Sequence, residues 1–112
     1  MNLEGAAPRF VKEIQSQKVM DGERVTFTAK VIGNPMPEDV TWYHDERIIA
    51  NNPDFHVEYN KKTGEASLVI RELFPQDAGL YECLATNVYG EAVTEGNLLV
   101  EGKINLTIKI VS

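Results

Sequence analysis

One cysteine, Cys83, is all that this 112-residue sequence contains, so no internal disulfide can form. Small extracellular domains usually depend on such bridges and cytosolic ones usually do not, which points to an intracellular, cytoplasmic setting. Long apolar runs are missing too. Nothing approaches the ~20 residues of a membrane span, and Met1-Asn2-Leu3-Glu4 lacks the basic segment and apolar stretch of a secretory signal. Positive charge is scarce: Lys and Arg number 11 against 17 Asp and Glu, a net charge of -6. An acidic surface repels phosphate backbones, so neither nucleic acid nor a membrane is an expected partner. There is no glycine-rich phosphate loop, serine elbow or metalloprotease motif. His44 and His56 have no spaced Cys or second His beside them and read as ordinary surface histidines rather than metal ligands. No catalytic residue and no cofactor are expected, and the classes left are binding and mechanical ones.

What is present is strand pattern. The length suits one domain, and a hydrophobic share of 43% is enough for a true core. Short apolar alternations recur between turn signals, and sustained helical periodicity is absent, which predicts an all-β sandwich. Residues 1–7 read as a flexible lead-in, 8–101 as the domain and 102–112 as a strand-like extension. Residues 8–13 predict an edge strand that 15–20 continue, closed by an Asp21-Gly22 turn. Within 23–32, Val25, Phe27, Ala29 and Val31 share one face. Residues 33–37, with two prolines, predict a loop. Strands follow over 39–44 with Val40 and Trp42 together, 47–50, 55–59, and 65–70 with Ala66, Leu68 and Ile70 inward. Residues 79–87 point Tyr81, Cys83 and Ala85 inward, and 91–101 close the set. Seven to nine short strands is the number a sandwich needs.

Four segments carry a closer likeness: Pro8-Arg9-Phe10, Gly33-Asn34-Pro35-Met36-Pro37 with Val40-Thr41-Trp42-Tyr43, Asp77-Ala78-Gly79-Leu80-Tyr81-Glu82-Cys83, and Ala85-Thr86-Asn87 with Gly90-Glu91-Ala92. Through them the chain resembles the intermediate set (I-set) of immunoglobulin domains, those of the titin, twitchin and telokin (myosin light chain kinase) muscle-protein group. The resemblance implies an immunoglobulin-like β-sandwich of two antiparallel sheets in Greek-key order, here without a disulfide. It implies that Trp42 lies between the sheets and that Tyr81, two residues before Cys83, forms a tyrosine corner with backbone near residues 73–77. It also implies that Ala29 stands where secreted relatives carry the second cysteine. The function it implies is a non-catalytic structural and protein-binding module of a large sarcomeric or cytoskeletal protein, a spacer that bears tension and docks partners, neighbouring immunoglobulin domains among them. The rival readings are an extracellular adhesion domain and a regulatory domain attached to a muscle kinase.

The expected core residues are Trp42, Tyr81, Cys83, Ala29, Phe27 and Leu68, with Cys83 a buried structural thiol rather than a nucleophile. Glu38-Asp39 read as a solvated acidic pair, and Asn105-Leu106-Thr107 as a chance match to a glycosylation acceptor. Pro35, Met36 and Pro37 form a stiff, exposed loop, either a partner-binding tip or a rigid connection. Ile104, Leu106, Ile108 and Ile110 alternate with polar residues as in a strand. That segment either lies along an edge of its own domain, pairs with another molecule, or is a foreign or truncated extension. Strand pairing, including self-association, is the favoured reading.

Overall fold

The computed structural model describes residues 4–102. Nine strands form two sheets: β1 (Ala6–Lys12), β2 (Gln17–Met20), β3 (Val25–Asn34), β4 (Val40–His44), β5 (Arg47–Ile48), β6 (Phe55–Asn60), β7 (Glu65–Ile70), β8 (Gly79–Asn87) and β9 (Gly90–Glu101). Among the described residues a single 3-10 turn, Pro75–Asp77, precedes β8. One sheet has the order β1-β3-β7-β6, the other β2-β9-β8-β4-β5. Every pairing is antiparallel except β2 with β9, which is parallel.

Burial in β3 alternates strictly over its first eight residues, so Val25, Phe27, Ala29 and Val31 face inward. β7 registers Leu68 against Phe27 and Ala66 against Ala29. From the second sheet Trp42, Tyr81, Cys83, Ala85 and Leu98 close the gap, all fully buried. Each large apolar side chain so buried contributes roughly 1.5–3 kcal/mol relative to water. Interior area therefore stands where a disulfide is absent.

Residues 8–20 do not make one continuous edge. β1 lies in the first sheet and β2 in the second. Ile14 makes the crossing: its side chain is buried in the core, and its N–H donates to Thr94 Oγ1 at 3.1 Å. An apolar residue between the two stretches leaves the edge of one sheet to fill the seam, carrying the chain across. Boundaries also shift. Ala6 and Ala7, read as lead-in, belong to β1, because Ala6 pairs with Asn34. Gly33 and Asn34, read as loop, are the last residues of β3 for the same reason. β4 and β5 are joined by Asp45 and Glu46 at φ +46° and +70°, the two left-handed residues of a tight primed turn. The strand expected over 104–110 lies outside the described residues.

Candidate functional site

The tyrosine corner and the core beneath it are held by hydrogen bonds and ring stacks on several sides. The Tyr81 hydroxyl donates to the Asp77 carbonyl at 2.6 Å, and Asp77 Oδ2 accepts the Phe74 N–H at 2.8 Å. Together they bind the crossover before β8 to the strand itself. On its faces Tyr81 stacks on Phe27, with centroids 5.1 Å apart, and on His44, at 4.5 Å and 6° from parallel. His44 Nε2 lies 2.8 Å from the Ala78 carbonyl and donates to it. His44 is therefore not the ordinary surface histidine that its isolation in sequence suggested: it is half-buried and roofs the corner. Gly79 holds φ +136°, and a Cβ there would sit 2.5 Å from Asp45 Oδ2. Asp45 needs that space, because its Oδ1 accepts the Leu80 N–H at 2.8 Å. Burial first, then the Asp77 and Asp45 carboxylates, raise the Tyr81 hydroxyl pKa far above its ordinary value.

Trp42 and Cys83 are register partners on β4 and β8, both fully buried. Burial pushes the Cys83 thiol up to about 12, so at neutral pH it is a thiol and not a nucleophile. The Trp42 Nε1–H has no hydrogen-bond partner among the described residues, a cost of about 1–3 kcal/mol accepted for the area of the ring. Ala29 and Leu68 complete the layer with 1% and 0% of their surface exposed. No group of three or more His, Cys, Asp or Glu among the described residues is placed to hold a metal. No helix among them is long and apolar enough to cross a membrane.

The 33–39 segment departs from its sequence reading. Only Pro35 of the three singled-out residues is exposed; Met36 packs against the core and Pro37 is fully buried. Two side chains hold the segment down. Asn87 Nδ2 donates to the carbonyls of Pro35, at 2.9 Å, and Ala6, at 2.7 Å, and the Tyr59 hydroxyl donates to Pro37 O at 2.9 Å. The peptide before Pro35 is cis. Glu38 and Asp39 are exposed. The apolar surface offered at this pole is instead Val88 and Tyr89, 83% and 59% exposed in the turn before β9. In the sequence Asn87 enters only as part of the hairpin likeness and Val88 and Tyr89 only as a turn, with no role for any of the three. An asparagine before a Val-Tyr-Gly turn signals only a turn, and its donors to distant carbonyls are a tertiary matter.

Residues 8–100 match the family described as Immunoglobulin I-set domain. Among curated relatives, the chain is 45% identical over 95 residues to smooth-muscle myosin light chain kinase of Gallus gallus, covering 85% of this chain and 5% of that one. It is 41% identical over 97 residues to palladin of Mus musculus, covering 86% and 7%. The chain thus spans a small part of the length of the curated relatives it matches. Among solved structures, the titin domains Z1Z2 in complex with telethonin superpose with a TM-score of 0.82 at 37% identity, over 90% of this chain and 50% of that one.

Proposed function

The chain belongs to the immunoglobulin I-set family, and on that premise we propose that it is a non-catalytic structural and protein-binding module of a large sarcomeric or cytoskeletal protein. Its work is to space its neighbours, bear tension and dock other proteins.

The observation that carries this reading is where the strands begin and end. β1 starts at the pole where Ala6 meets Asn34 and Asn87. β9 ends at the other pole, where Met20 pairs with Glu101 and the Asp21 N–H donates to Glu101 O at 2.7 Å. The ten residues of β3 separate the two, roughly 30 Å at ~3.3 Å per residue. Force applied at the chain ends therefore runs along the strands. It loads the β1–β3 and β2–β9 ladders in shear, where several hydrogen bonds must fail together. Docking is supported by the titin relative whose structure holds telethonin. Localisation to the sarcomere or cytoskeleton follows the kinase and palladin relatives. Self-association through Ile104, Leu106, Ile108 and Ile110 belongs to the same proposal, and light scattering with and without residues 103–112 tests it. The 45% identity to a muscle kinase favours a second reading, a regulatory domain within a kinase chain; the flanking sequence of the parent chain decides between them.

Single-molecule stretching tests the mechanical reading. One sharp force peak is expected per domain, releasing roughly 300 Å of chain at ~3.3–3.6 Å per residue. Val19→Pro, which removes a ladder donor from β2, should lower the peak. Extension without a peak, or an unchanged peak in the variant, refutes it.

A further inference from the structure

The outer face of the β1-β3-β7-β6 sheet carries a charge pattern that the fold does not require. The sequence has 11 Lys and Arg, two of which, Lys103 and Lys109, lie outside the described residues. Of the nine that remain, four (Lys12, Lys30, Lys61 and Lys62) line one depression of about 940 Å³ on this face. In a chain of net charge -6 that is a concentration of the minority sign. Lys12 and Lys30 are direct cross-strand partners, and on its other side Lys30 stands opposite Glu65 of β7. Like charges set opposite one another destabilise a sheet. β1 shifts register between Phe10 and Lys12, the kind of local irregularity that re-aims a side chain beside a site. No carboxylate among the described residues comes within ion-pair distance of Lys12, Lys30 or Lys62; Lys61 alone is paired, with Glu38.

We infer that this depression docks an acidic, extended polypeptide segment of a partner protein, whose carboxylates pair with Lys12, Lys30 and Lys62, the lining lysines that make no ion pair among the described residues. The choice of occupant comes from the rest of the lining. Glu58 and Glu65 sit among the lysines, and Thr28, Asn60 and Ser67 offer neutral hydrogen-bonding groups. Two fixed carboxylates oppose a uniformly anionic surface such as a lipid bilayer or a phosphate backbone. A peptide can place its acids at the lysines and its neutral residues at Glu58 and Glu65. The depression also runs across the strands of one sheet, from Lys12 of β1 over β3 and β7 to Glu58 of β6, a surface along which an extended segment can lie. This deepens the docking half of the proposed function and rests on it; the stretching experiment does not depend on it.

The probe is a fluorescent eight-residue peptide alternating Glu with Val and Thr, titrated into the full 112-residue chain at two salt concentrations. A Gln-for-Glu analogue and phosphatidylserine vesicles run in parallel. Saturable binding of the Glu peptide is expected. It should weaken as salt rises, because the Debye length shrinks to about 8 Å at 0.15 M. Lys12→Gln with Lys30→Gln should weaken it at least tenfold. The melting temperature should change little, because the variant loses the like-charge facing of Lys12 and Lys30 and the opposite-charge facing of Lys30 and Glu65 together. Arg24→Gln, a change away from the depression, should leave affinity within about twofold. Equal affinity for the Gln analogue, insensitivity to the paired lysine changes, absence of saturation at millimolar peptide, or binding to vesicles without binding to peptide would each overturn the inference. Loss of binding with a fall in melting temperature would count against it also, because the lysines would then be structural.

Discussion

Replacing Gly64 with alanine should be among the most damaging single-methyl additions available to this domain. Gly64 sits in the turn between β6 and β7 at φ +82°, where an L side chain costs roughly 1–2 kcal/mol. Its carbonyl accepts the Val31 N–H at 2.9 Å, and its own N–H donates to Asn60 O at 2.7 Å. A Cβ there would lie 2.1 Å from the Val31 carbonyl oxygen. That is a backbone atom of the central core strand, so no rotamer change relieves it. The turn must move off β3, and the hydrogen bond to Val31 goes with it, at about 1–3 kcal/mol for a buried backbone group left unpaired. The two effects together come to about 2–5 kcal/mol, a large part of the ~5–15 kcal/mol that holds a domain this size. Urea melts followed by Trp42 fluorescence measure it. Gly64→Asn separates the causes, because asparagine tolerates positive φ but carries the same Cβ. It should remain nearly as damaging as alanine. Gly102→Ala, with nothing within 4 Å of the added carbon, is the control and should be silent. A loss below ~1 kcal/mol for Gly64→Ala, or a near-neutral asparagine, would refute the close-approach argument.

Trp42→Ala should cost about 3–5 kcal/mol in denaturant melts, as truncation of a fully buried aromatic does; less than ~1 kcal/mol would contradict its burial. Tyr81→Phe keeps both ring stacks and removes only the bond to Asp77 O, so about 1–3 kcal/mol is expected from the same assay. Cys83 should resist maleimide labelling in the native state at neutral pH and react on unfolding, and melts of monomer should not depend on reductant; native labelling at the unfolded rate would show the thiol exposed. Alkaline stability tests the raised Cys83 pKa. The unfolded thiol ionises near 9.0 and the folded one near 12, so between those values the folded state binds more protons. This contribution is therefore complete below pH 9 and falls as pH rises toward 12, by at most ~1.4 kcal/mol per pH unit. Urea melts of Cys83→Ala should lose part of that decline, and an identical pH profile would refute it.

Much of this protein was legible in its residues because a half-buried strand writes its face into the sequence. The alternation Val25, Phe27, Ala29, Val31 needs no partner to be read, and neither does Trp42 or the Tyr81-x-Cys83 spacing. The single cysteine excluded a disulfide by counting alone. What the tertiary structure decided depends on contacts between residues far apart in the chain. Alternation cannot tell which sheet a strand joins, so the crossing at Ile14 waited on the hydrogen bond to Thr94, eighty positions away. Proline content marks a turn but not its burial; Pro37 is inside because Tyr59 and the core reach it. His44 looked solitary because its partners, Tyr81 and Ala78, lie on another strand and its approach. Lys12, Lys30, Lys61 and Lys62 are scattered in sequence, and only the pairing of β1 with β3 and the adjoining turn gathers them. Local pattern reports which way a side chain faces, because that depends on the pleat. What the side chain meets depends on register and sheet order, which the folded chain alone supplies.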